Sequence, residues 1–182
     1  RVIKGDKPLS LPPYKEYDRR RAHLLSFPGS AYLKISEGCN HRCSFCAIPL
    51  IRGPLRSIPK ATILEEARRL VSRGVYEINL IAQDLAAYGE DFEHTEGDSA
   101  ASRHEDSPFI SLLKDLCAIP GDFTLRLLYI HPDNFPLELL PIVRECSKIL
   151  PYFDIPFQHS SKKVLSAMGR KGDAQRYLSL VR

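Results

Sequence analysis

The chain has 182 residues, of which 43% are hydrophobic and 26% are charged, and its formal net charge is +4. This composition can bury one sizeable core and excludes an intrinsically disordered protein. No apolar run approaches the roughly 20 residues of a transmembrane helix, and the polar N-terminus does not resemble a signal peptide. We therefore expect a globular cytoplasmic protein without a membrane partner. The modest positive charge does not require a nucleic-acid partner.

Residues 1–29 are interpreted as a linker. They contain four prolines and show no sustained periodicity of apolar residues. Their basic cluster, Arg19–Arg21 with His23, has two interpretations: a nucleic-acid contact or a solvated linker. The prolines favour the linker, so we expect no stable nucleic-acid binding by this chain.

From residue 30 onward, predicted strands and helices alternate, which is typical of a parallel sheet covered by helices. The predicted strands are Ala31–Ile35, Tyr76–Ala82, Phe123–Ile130 and Tyr152–Pro156. The predicted helices are Pro59–Ser72, Phe109–Ala118, Leu137–Ser147, Lys162–Met168 and Asp173–Arg182. A complete eight-stranded barrel needs about 250 residues. Residues 30–182 are therefore predicted to be an α/β domain, a partial barrel of parallel strands. Because the last helical pattern reaches the final residue, we expect a truncated fragment.

The first predicted helix has the clearest boundary signals. Pro59 lies near its start, Thr62 and Glu65 have the spacing of a capping box, and Gly74 follows its end. Such signals are typical of helix termini.

An acidic segment at about residues 90–106 interrupts the alternation. It contains seven acidic residues and almost no apolar side chains. Such a composition cannot fold alone, so we predict a surface insertion. His94 and His104 lie within it, and a metal site there is a minor alternative.

Three cysteines with the spacing CxxxCxxC follow the first predicted strand. They are Cys39, Cys43 and Cys46. Three thiolates supply three of the four ligands of a four-iron cluster, which leaves one iron open for catalysis. A structural zinc site is the alternative, but it usually requires two ligand pairs, and His41 would crowd the metal as a fourth ligand.

Cys117 and Cys146 lie singly in helix-like apolar stretches. We interpret both as small buried hydrophobic residues. A disulfide is not expected, because the cysteine count is odd and a chain of this length needs no covalent cross-link.

Polar residues follow each of the other predicted strands. Gln83 and Asp84 follow the second, His131 follows the third, and Gln158 and His159 follow the fourth. In a barrel these strand ends meet at one rim, where ligands bind. Each residue also has a structural interpretation; Asp84 and His131, for example, are both suited to turns.

Several motifs resemble one family. The three-cysteine motif, with Phe45 before its last cysteine, is similar to that of radical S-adenosylmethionine (SAM) enzymes. Other segments resemble the methylthiotransferase branch, and within it the ribosomal-protein aspartate methylthiotransferases. These segments are Ala47–Gly53, Glu77–Asp84, Ala87–Gly89, Arg126–Pro132, Tyr152–Ser161 and Met168–Arg170.

The resemblance implies a radical SAM barrel with a 4Fe–4S cluster on the three cysteines. Such a cluster cleaves SAM to a 5′-deoxyadenosyl radical. Phe45 is expected to lie against the adenine. Either Gln83 or Asp84 would replace the Gly-Gly-Glu run that holds the SAM amino group in many relatives. Arg52 and Arg56 are expected to bind a carboxylate or to form ordinary surface salt bridges.

The implied reaction is β-methylthiolation of an aspartate on a small-subunit ribosomal protein, with a reductase or flavodoxin-type protein as electron donor. Family members carry a second 4Fe–4S cluster on an N-terminal domain, and a C-terminal substrate-recognition domain. This sequence shows neither the cysteines of the second cluster nor the C-terminal domain. We therefore do not expect the chain alone to complete the reaction. Two alternatives remain open: a transfer-RNA adenosine methylthiotransferase, and a non-catalytic, metal-stabilised RNA-binding module.

Overall fold

The computed structural model describes residues 27–92 and 107–182. Most of the predicted linker, including Arg19–Arg21 and His23, lies outside these ranges. Most of the acidic insertion, with His94 and His104, also lies outside them. The domain boundaries therefore stay predictions.

A four-stranded parallel sheet forms the centre of the described chain. Its strands, in spatial order, are β1 (Ser30–Lys34), β4 (Glu77–Ile81), β5 (Thr124–Leu128) and β6 (Ile149–Phe153). A separate antiparallel pair joins β2 (Ser36–Glu37) and β3 (Arg56–Ser57). The predicted partial barrel of parallel strands is confirmed, because each strand of the main sheet is connected to the next through helical segments.

The sheet register explains the core. Leu33 pairs with Leu80, which pairs with Leu127, and all three side chains are fully buried. Alternate residues of each strand point to the opposite face, so one face of the sheet is apolar. The opposite face carries the residues one position earlier in each strand, where Tyr32 pairs with Asn79 and Asn79 with Arg126. The apolar face is the one that the helices cover.

Helices α2 (Lys60–Ser72), α3 (Pro108–Cys117) and α4 (Leu139–Glu145) pack around this core. In α2 the buried residues Ile63, Ala67 and Leu70 recur at helical spacing, which forms an amphipathic face. The α3 start is set by Ser107, whose side chain accepts a hydrogen bond from the Ile110 N–H at 3.3 Å. No helix within residues 27–92 and 107–182 has both the length and the apolar composition needed to cross a membrane.

The capping-box prediction is wrong. The residue that precedes α2 is Pro59, whose carbonyl accepts hydrogen bonds from Thr62 and Ile63. Thr62 is therefore the third residue of the helix rather than its cap. Proline fixes its own φ near the value needed here, so the helix begins without a side-chain cap.

The fourth strand lies three residues earlier than predicted. Strand β6 spans Ile149–Phe153 and pairs with β5 through Leu125–Ile149 and Leu127–Phe153, with an irregularity between them. Pro151 lies within this strand although proline cannot donate a hydrogen bond to a neighbouring strand. It is tolerated because β6 is at the edge of the sheet.

The prediction for Cys117 and Cys146 is also wrong. The two cysteines form a disulfide, with their Cα atoms 6.4 Å apart. Cys117 ends α3 and Cys146 follows α4, and both helices pack on the same side of the sheet. Because strand β5 connects these helices, 29 residues separate two thiols that the fold makes neighbours. Sequence spacing alone does not reveal that proximity.

A 3-10 helix at Pro132–Asn134 and three short α-helices complete the described residues. The α-helices are α1 (Ile48–Arg52), α5 (Lys162–Ala167) and α6 (Ala174–Val181). Helix α1 was not predicted, since five residues give little periodicity. It begins two residues after Cys46, and Pro49 is in its first turn.

Candidate functional site

A cleft of about 280 Å³ lies at the carboxyl ends of β1, β4 and β5. Six of the nine predicted site residues line it. They are Cys39, Cys43, Phe45, Cys46, Gln83 and His131. The remaining lining residues are His41, Ile48, Ala82, Tyr129 and Arg170. Asp84 is buried beside this cleft, whereas Gln158 and His159 are exposed and are not among its lining residues.

The first half of the cysteine loop is held against the segment that follows α1. Gly38 has a φ of 80°, and a Cβ atom there would lie 2.0 Å from the Pro54 carbonyl oxygen. The Cys39 N–H donates to the Gly53 carbonyl at 3.1 Å. The Asn40 side-chain oxygen accepts from the Leu55 N–H at 3.0 Å. Only glycine permits both the left-handed backbone and the close approach.

The second half of the loop is held by the end of α5. The Ser44 N–H donates to the Met168 carbonyl at 3.1 Å, and its hydroxyl donates to the Ala167 carbonyl at 2.9 Å. A Cβ atom on Gly169 would lie 2.8 Å from the Arg42 carbonyl oxygen. These contacts place the next residue, Arg170, at the cleft.

Asp84 joins the loop to two strand ends. Its Oδ2 accepts from the Asn134 amide at 3.2 Å and lies 3.0 Å from His41 Nε2. Its Oδ1 accepts from the backbone N–H groups of His131 at 3.1 Å and Ala86 at 3.2 Å. Burial acts to raise the pKa of Asp84, but the hydrogen bonds from His41 and His131 and their charges lower it overall. Both oxygens are thus used within the protein.

His131 is held neutral. Its ring stacks on the His41 ring, with centroids 4.0 Å apart. Burial and the charges of His41 and Arg170 lower the pKa of His131 to about 4. Its Nδ1 accepts a hydrogen bond from the Asp133 N–H at 3.2 Å, so the neutral ring carries its proton on Nε2. Because the Nε2 atom of His41 contacts the Asp84 carboxylate, it is not positioned to be a fourth metal ligand.

Four buried polar atoms in the cleft lack partners among the described residues. They are Gln83 Oε1, His131 Nε2, Arg170 Nε and Arg170 Nη1. A buried polar atom without a hydrogen bond costs free energy, so native structures rarely retain one without a reason. Four such atoms around one cleft indicate a site built for a polar ligand.

Comparison with known proteins agrees with this geometry. The family model of the Radical SAM superfamily matches residues 33–182 of this chain.

This chain belongs to the radical SAM superfamily.

Its relatives include ribosomal protein uS12 methylthiotransferases named RimO. The protein from Treponema denticola is 48% identical over 89% of this chain and 34% of its own length. That from Thermodesulfovibrio yellowstonii is 41% identical over 85% of this chain and 34% of its own length. The chain therefore spans about a third of the length of these relatives.

Solved structures give the same radical SAM fold at low sequence identity. The cobalamin-dependent S-adenosylmethionine radical enzyme OxsB matches with a TM-score of 0.60 at 14% identity, over 85% of this chain and 22% of that one. The radical S-adenosylmethionine methyltransferase TsrM from Kitasatospora setae matches with a TM-score of 0.59 at 18% identity, over 85% of this chain and 28% of that one. At such identities the likeness is evidence for the fold alone.

A zinc ion and a four-iron cluster make different demands on the positions of their ligands. No group of three Cys, His, Asp or Glu side chains in the described ranges could hold a single metal ion. Zinc needs its ligands to converge on one point, whereas the thiolates of a four-iron cluster each bind a different iron. Burial raises the pKa of Cys39, partly offset by a hydrogen bond from the His41 N–H to its sulfur at 3.4 Å.

Two arginines that follow the cysteine loop, Arg52 and Arg56, are not among the residues that line the cleft. Arg52 makes a salt bridge to Glu37 at 2.9 Å, and Arg56 donates to the Arg52 carbonyl at 3.1 Å. The surface salt bridge was the alternative that the sequence left open for these residues. Tyr129 and Arg170 were not singled out as site residues, although each lies within a segment that resembles the family, Arg126–Pro132 and Met168–Arg170.

Gly38→Ala should destabilise the cysteine loop. Gly74→Ala is the matched control, because Gly74 has a similar φ of 82° but open space around a Cβ. Both changes incur about 1–2 kcal/mol of left-handed backbone strain. We expect Gly38→Ala to cost about 1–3 kcal/mol more, because a backbone carbonyl must move. Urea unfolding of the metal-free protein measures both; equal losses would contradict the close-contact argument.

Asp84→Ala should destabilise the fold by about 3 kcal/mol or more, because it leaves several buried donors without an acceptor. Asp84→Asn should cost less, since one side-chain oxygen still accepts from the backbone of His131 and Ala86. The exposed residue Asp122 provides a control, Asp122→Ala, with an expected effect within about 0.5 kcal/mol. Denaturant unfolding of the three variants measures this order, and an Asp84→Ala loss no larger than the control would refute it.

Stability should fall as the pH is lowered from about 6.5, the ordinary histidine pKa, to about 4, the pKa of folded His131. In that range the unfolded chain binds a proton that folded His131 does not, so unfolding is favoured. His131→Asn has no such group, and its stability should vary less over the same range. Urea unfolding at several pH values compares the two; parallel curves would show that His131 titrates normally in the folded state.

Proposed function

We propose that this chain is the catalytic core of a radical SAM methylthiotransferase that modifies an aspartate of ribosomal protein uS12. The observation that carries the proposal is the convergence of three cysteines and four unpartnered polar atoms on one cleft. The similarity to uS12 methylthiotransferases over most of the chain supports the choice of branch and substrate.

In this proposal Cys39, Cys43 and Cys46 hold a 4Fe–4S cluster through their thiolates. A cluster with one open iron, together with SAM, supplies a one-electron cleavage of a carbon–sulfur bond. The role of the protein is then to bind, orient and enclose SAM. The residues of the cleft are suited to these tasks for separate physical reasons.

Phe45 provides an apolar ring between two of the ligand cysteines, where an adenine could stack. Gln83 Oε1 is an acceptor that no described residue bonds, and it suits the amino group of SAM. His131 Nε2–H is a neutral donor, because the low pKa of the ring keeps it uncharged. Ile48 and Ala82 add apolar wall to the same cleft, which helps to exclude water from a reactive species.

The other predicted residues take different parts in the proposal. Asp84 positions the loop and His131 rather than contacting SAM, since all its hydrogen bonds are internal. Gln158 and His159 are exposed beyond β6, and Gln158 has a φ of 67°. Contact of these two residues with SAM stays a prediction. So do the second cluster of a longer protein, the flavodoxin-type or reductase donor and the cytoplasmic location.

Anaerobic reconstitution with iron and sulfide tests the cluster. We expect about four irons per chain and an electron paramagnetic resonance signal of the reduced protein that changes when SAM is added. Cys39→Ser, Cys43→Ser and Cys46→Ser should each lose iron. The double variant Cys117→Ala/Cys146→Ala is the matched control and should retain it, because those sulfurs lie outside the cleft.

Stoichiometric zinc without iron would contradict the cluster, and a signal indifferent to SAM would contradict the cofactor site. The substrate is tested separately, with the full-length protein, reduced electron donor and SAM. Mass spectrometry should detect one methylthio group on an aspartate of uS12. Modification of adenosine in transfer RNA with none on uS12 would instead support the other branch.

A further inference from the structure

Arg170 is a buried cation whose main donors are unused. Its side chain is within the cleft, and the residue is 5% exposed. Its Nε and Nη1 have no hydrogen-bond partner within the two described ranges. Arginine is almost never fully buried unless it is paired, because an unpaired charge loses its hydration. The cost of this arrangement indicates that an anion from outside the described residues belongs beside the guanidinium.

The backbone contacts before Arg170 and the Phe45 ring place its guanidinium at the cleft. The Gly169 backbone contacts the Arg42 carbonyl too closely for a side chain, and the preceding residues bond to Ser44. Tyr129 lines the same cleft; burial raises the pKa of its hydroxyl, and the nearby charge of Arg170 partly offsets this rise. The Phe45 ring lies 5.9 Å from the guanidinium carbon. A donor group that is already placed at the cleft loses less entropy on binding, which favours affinity.

The chemistry of the anion follows from what shares the cleft. Gln83 Oε1 is an acceptor that has no partner in the described part of the chain, and Arg170 supplies a cation and several donors. A ligand that satisfies both must carry a negative group and a hydrogen-bond donor close together. An α-amino acid has this pair in its carboxylate and ammonium groups. A phosphate would satisfy Arg170 but would repel the Gln83 oxygen.

We propose that Arg170 binds the carboxylate at the amino-acid end of SAM. This inference rests on the proposed function and adds to it a residue that fixes the orientation of SAM by its charge. Charge-assisted hydrogen bonds from a guanidinium to a carboxylate are among the strongest in proteins. The apolar surroundings of the cleft strengthen them further, because little water competes.

The test compares SAM with decarboxylated SAM, which keeps the adenosine, sulfonium and amino groups but lacks the carboxylate. Both are measured by equilibrium dialysis against the anaerobically reconstituted protein. The unmodified protein should bind SAM about 10- to 100-fold more tightly than the decarboxylated compound. In Arg170→Met that preference should fall about tenfold, through weaker binding of SAM; a carboxylate bound to the open iron would account for any preference that remains. Binding of decarboxylated SAM should change little.

Arg176→Met is the matched control, since Arg176 is an exposed arginine six residues away that bonds to the Asp133 carbonyl. It should retain the full preference for SAM. Iron content is measured for every protein. Arg170→Lys retains a charge and serves if the methionine variant does not fold; we expect it to keep iron and to bind SAM more weakly than the arginine protein.

Three results would overturn the inference. The first is an Arg170→Met protein that keeps its preference for SAM. The second is loss of iron from both Arg170 variants, which would assign the residue to the fold or the cluster. The third is an unmodified protein that binds SAM and decarboxylated SAM equally. An unmodified protein that holds a cluster but binds neither compound would instead contradict the proposed function.

Discussion

The Asp84 carboxylate connects the parts of the cleft that come from distant segments. One oxygen accepts from the backbone after β4 and after β5, and the other contacts His41 of the cysteine loop and Asn134. Three chain segments separated by more than 40 residues thereby share one buried anion. Without it, the stacking of His41 on His131 would remain, but the loop and the two strand ends would lose the one carboxylate that bonds to all of them.

The cleft carries a cost in the ligand-free chain. Buried atoms of Gln83, His131 and Arg170 remain without partners in the described ranges, although each could have been replaced by an apolar group that packs well. Such local cost is common where a site is prepared for a ligand, since preorganised donors need no rearrangement when it binds. Stability of the fold therefore comes from the apolar face of the sheet, and binding capacity comes from the strand ends, which contribute little to that core.

The sequence was sufficient for the parallel sheet and for most of the cleft, because strand periodicity and barrel geometry are local signals with a fixed spatial meaning. It predicted Gln83 and His131 at one rim for that reason. It failed where tertiary position decides: the start of β6 and the pairing of Cys117 with Cys146. The sequence indicated Arg170 only as the last residue of the Met168–Arg170 segment, with no role of its own. A basic residue after a glycine carries no mark of burial, which arises from the contact between Gly169 and the cysteine loop.

The disulfide and the cysteine loop place opposite requirements on the redox environment. The loop thiols must be reduced to bind iron, whereas the Cys117–Cys146 link exists only when those sulfurs are oxidised. Both disulfide cysteines are only partly buried, so a reductant can reach them. A chain prepared with strong reductant for cluster assembly is then a different covalent species from the oxidised chain, and it lacks the restraint that joins α3 to the end of α4. Its unfolded state has more conformational freedom, so the two forms differ in stability for a reason unrelated to iron.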